Sequence, residues 1–291
     1  MSAYQIAASA RAAVRGARLG RLARGNRVLV VAGGVVALAV VAAVFAPLLA
    51  PYDPDAVDPT AVFQSASAAH WLGTDDTGRD ILSRILYGAR PSLLAPAVVT
   101  VAAGVVGTAL AVAAAWFGGW TDRAVSAFLD VLFGFPGLVL AVVAAAVFGA
   151  GLRVAVLTLS VAYLPYIGRV VRTAALRERS LPYVAALRML GMPGWRICLR
   201  HLTPNLLPLV LVQVATSFGY ALLDVAAFSF IGLGAQPPTA EWGLMVANGS
   251  SGILAGRAEQ SLYAGAVVVV LVIACNLLGG ALSRRLLGED R

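Results

Sequence analysis

The sequence contains no lysine, and it has only two cysteines and two histidines in 291 residues. All 22 of its basic residues are arginines. Without a lysine, the chain cannot contain a standard phosphate-binding P-loop or form a Schiff base. Cys198 and Cys275 are 77 positions apart and the chain has no Cys/His cluster with metal-ligand spacing, so we interpret both as small apolar fillers. His70 is either a structural turn residue or a lone metal ligand, and we favour the first.

Charge is also scarce, and long apolar runs take its place. Apolar residues make up 60% of the chain and charged residues 12%, about half the charged share of a soluble domain. A bilayer core of about 30 Å needs about 20 helical residues. The pattern therefore predicts an all-α polytopic membrane protein with six transmembrane helices, of which the fourth has the shortest run. The runs are 28–46, 92–117, 124–148, 154–167, 206–233 and 262–282.

The arginines predict the orientation of these helices. Residues 1–27 carry six arginines and no acid, so the positive-inside rule places the N-terminus in the cytoplasm. Six crossings then put 17 arginines inside and five outside, with the C-terminus cytoplasmic. The net charge of +8 is thus a topology signal rather than a sign of nucleic-acid binding. We expect the first helix to be retained, preceded by a tail that is either amphipathic on the membrane or disordered.

Two external loops have a distinctive composition. The first, predicted over 51–91, is rich in Gly, Thr and Asp between His70 and Asp80. Thr77 or Asp76 is expected to cap a helix from Arg79 to Tyr87. The second, predicted over 234–260, contains a Pro-Pro pair and Trp242, which we place at the membrane interface. An ordinary external loop is the alternative interpretation of both.

The cytoplasmic stretch 172–205 predicts a short surface helix. Its apolar residues Tyr183, Ala186, Leu187 and Leu190 recur with helical spacing and form one face. Pro182 suits the first turn of this helix, while Gly191 is placed to end it. Such a helix can dock another protein or pack only against the ends of its own neighbours.

Together these segments resemble one family, the C-type (second) permease of the dipeptide/oligopeptide/nickel class of ABC importers. The resemblance covers about 46–283 and rests on motifs in the same order. They are His70-Trp71-Leu72-Gly73-Thr74-Asp75, followed by Gly78-Arg79-Asp80; Trp116-Phe117-Gly118-Gly119-Trp120 with Asp122; and Ser229-Phe230-Ile231-Gly232-Leu233-Gly234 with Gln236-Pro237-Pro238. The stretch around Ala185-Ala186-Leu187 resembles the EAA loop, the family's docking site for the ATPase. It departs by lacking the Glu and by having Leu for the second Ala.

The resemblance implies a type I ABC-importer permease fold in the bacterial inner membrane. Such a subunit has no catalytic residue and no cofactor of its own, because ATP and Mg bind to partner ATPases. It implies a heterodimer with a second permease, two cytoplasmic ATPases and an external binding protein. ATP-driven closure of the ATPases would move the docking helix and rock the spans between an inward-facing and an outward-facing arrangement. The implied cargo is di- or oligopeptides, with nickel or glutathione as alternatives; a self-contained secondary transporter or a membrane scaffold are rivals from other classes.

Three groups of site residues follow. Charges inside the membrane are expensive, so Asp224 either lines the substrate path or contacts the partner permease, and Asp130 pairs with Arg123 or Arg169. The family usually has Glu at Val225, which lies about 100° around the helix from Asp224. We assign docking to Arg177, Glu178, Tyr183, Ala186, Leu187, Leu190, Gly191 and Trp195; the substrate path to Asp224, Gln213, Ser217 and Ser229; and the external-loop motif to Trp71, Gly73, Asp75, Gly78, Arg79, Asp80, Gln236 and Trp242.

Overall fold

The structure is a computed structural model that describes residues 28–288, so the tail 1–27 and the last three residues lie outside the described part. The described residues form helices and loops, with an isolated β-bridge between Thr74 and Asp80. The helices are α1 (Val28–Leu49), α2 (Ile81–Phe117), α3 (Gly119–Gly134), α4 (Gly137–Phe148), α5 (Leu152–Arg179), α6 (Pro182–Met189), α7 (Gly194–Ile197), α8 (Thr203–Phe230), α9 (Trp242–Asn248), α10 (Ser250–Leu254) and α11 (Glu259–Leu287).

Within residues 28–288, five helices are long and apolar enough to cross a membrane, and a sixth span forms if α3 and α4 are counted together. These two short helices meet at an angle of 88°. Phe135 between them is extended, because Pro136 disfavours a helical conformation in the residue before it. The fifth span begins earlier than expected, since α7, a π-helical turn over Cys198–Leu202 and α8 form one helix over Gly194–Phe230.

The expected helix from Arg79 to Tyr87 and the expected span from Ser92 are one helix, α2. Its N-cap is Asp80, whose carboxylate accepts a hydrogen bond from the Ser83 amide, so the prediction of a cap at Thr77 or Asp76 is wrong. Pro91 and Pro96 lie inside α2 without ending it. Membrane helices tolerate proline because neighbouring groups satisfy the freed backbone.

The centre of the fold is formed by α2, α5 and α8. Their buried residues, among them Val99, Leu159, Ile167 and Val225, form the larger apolar cluster. A second cluster joins the beginning of α2 to α1, α9 and α11 around Trp242. The bent pair α3/α4 packs on α5, leaving a cavity between α5 and the second half of α8.

Two glycines allow α2 and α5 to cross closely. A Cβ added at Gly107 would lie 3.3 Å from the Gly168 amide nitrogen, and one added at Gly168 would lie 3.7 Å from the Gly107 carbonyl oxygen. In lipid, helices associate largely through such close packing of small residues.

We therefore expect Gly107→Leu to lower the free energy of unfolding by about 1–3 kcal/mol, because the new side chain forces α2 and α5 apart. Thermal unfolding in detergent measures the effect. Gly34→Leu is the matched control, since a Cβ at Gly34 meets nothing within 4 Å. Equal shifts for the two variants would contradict the close crossing.

Candidate functional site

A cavity of about 610 Å³ lies between the bent pair α3/α4 and the helices α5 and α8. Three of the four residues assigned to the substrate path line it, namely Gln213, Ser217 and Asp224. They are spaced along one face of α8, so they present a polar stripe to the cavity. The rest of the lining is mainly aromatic and aliphatic.

Asp224 is held by a tyrosine that sequence analysis did not single out. The Tyr163 hydroxyl donates a hydrogen bond of 2.7 Å to Asp224 Oδ2. Tyr166 and Tyr220 also line the cavity, and the rings of Tyr163 and Tyr166 are 5.7 Å apart. A carboxylate surrounded by electron-rich rings can bind an ammonium group through a charged hydrogen bond and cation–π contacts.

The fourth residue assigned to the path, Ser229, has a different position. Its side chain is completely buried, and its hydroxyl accepts a hydrogen bond of 3.1 Å from the Ala235 amide. In the same turn, Gln236 Nε2 donates hydrogen bonds to the carbonyl oxygens of Gly232 at 2.9 Å and Gly234 at 3.2 Å. Both residues fix the turn after α8 and lie outside the cavity lining.

Asp130, in the second half of α3, forms its ion pair with Arg169 rather than with Arg123. Arg169 Nη2 donates to Asp130 Oδ1 at 2.7 Å, and the Arg169 guanidinium lies 4.2 Å from the centre of the Phe133 ring. The Phe133 ring is in turn 5.4 Å from that of Tyr166. A line of rings therefore connects this exposed ion pair to the carboxylate of Asp224.

The short helix α6 forms as predicted, but its buried face differs from the predicted one. Val184 is buried, and Tyr183 and Leu187 are partly buried against the bundle. Met189 and Leu190 are 89% and 81% exposed. The predicted apolar face is therefore divided, because Tyr183 and Leu187 point inward while Ala186 and Leu190 point outward. We call the exposed residues Ala185, Ala186, Met189 and Leu190 the docking surface, after the role that the sequence resemblance implies for this stretch.

Glu178 joins three helices at the base of this surface. Its Oε1 accepts a hydrogen bond of 2.8 Å from the Tyr183 hydroxyl on α6 and one of 2.7 Å from Asn205 Nδ2 on α8. Burial and the Glu178 carboxylate raise the pKa of Tyr183 to about 12, so the hydroxyl stays protonated and keeps donating. Arg179 donates to the Ala115 carbonyl of α2, while Arg177 is exposed.

The end of α6 turns into α7 through Gly191. Its φ of +74° lies in the left-handed region that glycine adopts without strain. The Met192 amide then donates a hydrogen bond of 3.1 Å to the Leu187 carbonyl, which closes the turn. Trp195 on α7 is 61% exposed.

The loop cap, which we define as residues 50–80 and 231–258, contains the external-loop motif. Asp75 is buried and accepts hydrogen bonds from Thr77 and from the backbone and guanidinium of Arg79. Burial by itself favours the neutral acid, but these hydrogen bonds outweigh it and hold the pKa of Asp75 below its usual range. A Cβ at Gly73 or Gly78 would lie 2.5 Å or 1.8 Å from a backbone oxygen, so only glycine fits there.

Asp80 and His70 organise the same loop. Asp80 caps α2 and also contacts His70 Nδ1 at 3.0 Å, which supports the structural interpretation of His70. Trp71 is exposed beside them. Within residues 28–288, no group of three or more His, Cys, Asp or Glu side chains is arranged to hold a metal ion.

Arg84 is a buried cation that sequence reasoning missed. Its guanidinium donates to the carbonyl oxygens of Pro54 at 2.8 Å and Pro238 at 3.2 Å, and its Nε lies 3.7 Å from Asp75. It thereby ties both segments of the loop cap to α2. The sequence shows only an arginine in an expected loop helix, with nothing to mark its burial.

Trp242 and Glu241 form the second link between the loop cap and α2. Trp242 is buried and its indole N–H donates a hydrogen bond of 3.0 Å to the Ile85 carbonyl. Its ring therefore packs inside the protein rather than against lipid, and its level at the membrane interface stays a prediction. Glu241 caps α9 through the amides of Gly243 and Leu244. Burial raises the pKa of Glu241, while these two hydrogen bonds oppose the shift. An acid directly before a short apolar segment was the available sequence signal.

Comparison with known families gives two matches along the chain. Residues 103–288 match the model of the binding-protein-dependent transport system inner membrane component. Residues 21–66 match the N-terminal transmembrane domain of oligopeptide transport permease C.

Several curated bacterial proteins are similar over most of their length. A probable D,D-dipeptide transport system permease protein of Escherichia coli is 37% identical over 91% of this chain and 88% of its own. A dipeptide transport system permease protein of Alkalihalophilus pseudofirmus is 35% identical over 88% and 84%. A glutathione transport system permease protein of Pectobacterium atrosepticum is 36% identical over 88% and 85%.

One solved structure supports the fold. An inward-facing methionine ABC transporter matches with a TM-score of 0.53 and 21% identity, over 68% of this chain and 94% of the matched chain. At that identity the match concerns the architecture alone.

Proposed function

The chain belongs to the family of binding-protein-dependent transport system inner membrane components, and from this premise we propose that it forms, with a second permease, the membrane path for di- or oligopeptides. It is a non-catalytic, multi-pass permease subunit of an ABC importer of the inner membrane. The peptide cargo is the proposed part, and it is supported by the names of relatives at 35–37% identity.

The cavity around Asp224 is the observation that carries the proposal. Peptides present an amino terminus, and Asp224 with Tyr163, Tyr166 and Tyr220 offers a carboxylate and three rings to such a group. Glutathione, as a tripeptide with a free amino group, fits the same chemistry. A nickel ion prefers several nitrogen or carboxylate ligands, and Asp224 is the acidic residue of this lining.

We further propose that α6 couples the path to two cytoplasmic ATPases, with both chain termini on the same side. Its exposed apolar surface at the end of α5 is suited to a cleft in another protein. ATP-driven movement of α6 would rock the spans between outward and inward facing. An external binding protein would deliver the cargo to the opposite side.

Affinity purification of the tagged chain from its own membranes tests the assembly. We expect a second permease and ATPase subunits as companions, identified by mass spectrometry. Reconstituted complexes should then take up a labelled dipeptide in an ATP-dependent manner, and parallel uptake of nickel and glutathione separates the alternatives. Recovery of the chain alone, under conditions that preserve other such complexes, would contradict the proposed assembly.

For the path itself, Asp224→Asn is expected to lower uptake of a dipeptide with a free amino terminus by about 10-fold to 100-fold. The estimate follows from the loss of a hydrogen bond to a charged group, which contributes about 1.5–3 kcal/mol. Initial uptake rates in proteoliposomes measure it, together with ATP hydrolysis to confirm that the complex is assembled.

Asp130→Asn is the matched control, because Asp130 and its partner Arg169 are 65% and 40% exposed in their side chains. Such exposed pairs contribute little, so uptake should change less than about threefold. Equal losses from both variants would remove Asp224 from the path.

A further inference from the structure

An apolar groove of about 920 Å³ runs between the second half of α2 and the beginning of the α7–α8 helix. Val105 and Val112 line it from α2, and Leu207 and Val214 line it from α8. Gln213 lines the polar cavity instead. Because consecutive helical residues point about 100° apart, the groove and the cavity open on different sides of α8.

The groove is long enough to hold a lipid chain. Val101 and Phe117 mark its two ends on α2, and a helical rise of sixteen residues spans about 24 Å. The hydrocarbon of one leaflet is about 15 Å thick. Since its walls are apolar and it opens between two membrane-spanning helices, water does not fill it.

Tryptophan and arginine side chains surround one end of the groove. Trp116 and Trp195 belong to its lining. The guanidinium of Arg188 lies 4.4 Å from the Trp116 ring centre, and that of Arg196 lies 5.4 Å from the Trp195 ring centre. Both arginines are exposed. Tryptophan rings sit at the level of lipid headgroups, and arginine binds phosphate through two parallel hydrogen bonds.

We propose that this groove binds one anionic phospholipid, with its acyl chains between α2 and α8 and its phosphate on Arg188 and Arg196. Charge complementarity decides the class of lipid, because no carboxylate belongs to the lining of the groove in the part of the chain described. Arg188 belongs to α6, so a lipid bound in the groove would contact α6 through its headgroup.

Native mass spectrometry of the purified transporter tests this proposal. The complex is stripped of lipid in detergent and mixed with equal amounts of phosphatidylglycerol and phosphatidylcholine of the same acyl composition. Only intact complexes are scored. We expect retained phosphatidylglycerol in excess of phosphatidylcholine. Each arginine near an anionic headgroup contributes roughly fivefold, so Arg188→Gln with Arg196→Gln should lower that excess about 25-fold.

Single variants keep the result independent of α6. Arg196→Gln on α7 should lower the excess about fivefold, whereas Arg153→Gln, an exposed arginine at the opposite end of α5, should leave it unchanged. Ala109→Phe fills the groove and should reduce retention of either lipid, while Val31→Phe on the exposed face of α1 should not. Wild-type complex without a phosphatidylglycerol excess, or an excess that survives the loss of both arginines, would overturn the proposal.

Discussion

Replacing Arg84 with alanine is expected to lower the free energy of unfolding by about 3 kcal/mol and to release the two segments of the loop cap from α2. The Arg84 side chain is 1% exposed and donates to the Pro54 and Pro238 carbonyls, which lie on different segments. Its removal leaves Asp75 with the single cation of Arg79 and opens a void of arginine size. Chemical unfolding in detergent measures the loss, and limited proteolysis reports the release of the loops.

Two further variants sharpen this test. Arg84→Lys keeps the charge but cannot present two donors in a fixed fork, so it should recover only part of the stability. Arg153→Ala, which removes an exposed arginine, should change stability by less than about 0.5 kcal/mol. An Arg84→Ala protein as stable as the Arg153→Ala protein would show that the loops are held without this cation.

Leu190→Asp combined with Met189→Asp is expected to abolish retention of the ATPases. Both side chains are more than four-fifths exposed at the end of α6, where nothing in the described part of this chain covers them. Hot-spot residues of protein interfaces contribute about 2 kcal/mol or more, so a charge at this surface should weaken association at least about 30-fold. Co-purification of the ATPases and ATP hydrolysis by the membranes are the two measurements.

Leu254→Asp provides the matched control, because Leu254 is 91% exposed on α10 in the loop cap. The same chemical change there should leave ATPase retention intact. The inward residues give a different signature, since Leu187→Ala should lower the melting temperature through lost packing. If the double aspartate variant retained its ATPases, α6 would not be the docking element.

The sequence allowed a good prediction of the helices and a poor one of their ends. Six apolar runs and a short surface helix were readable because apolar length and helical spacing are local properties. A helix beginning near Ile81 was expected, but its continuity with the span from Ser92 was missed, because Pro91 lies between the two and a proline usually ends a helix. The bend at Pro136 was visible as a proline, but its angle depends on how α3 and α4 pack on α5.

The site was predictable where residue type alone is informative. An aspartate inside an apolar run is costly, so Asp224 stood out as a candidate, while its partner Tyr163 lies 61 positions away and is one of eight tyrosines. Trp242 was placed at the membrane surface because its amphipathic character suits that place. Its actual burial depends on a hydrogen bond to Ile85, which is 157 positions distant. Such pairings become visible only once the fold brings them together.

The helices α5 and α8 are joined by polar contacts at two heights. At one end Glu178 on α5 holds Asn205 on α8, and farther along Tyr163 holds Asp224. The interval is fifteen residues on α5 and nineteen on α8, about 22 Å and 28 Å along the helix axes. The two helices are therefore linked by hydrogen bonds at two levels, and Tyr183 connects α6 to the level that contains Glu178. A movement of α6 that shifts α5 along α8 would lengthen the hydrogen bond between the Tyr163 hydroxyl and the Asp224 carboxylate. Such a movement would therefore be felt in the cavity as a change in this one distance.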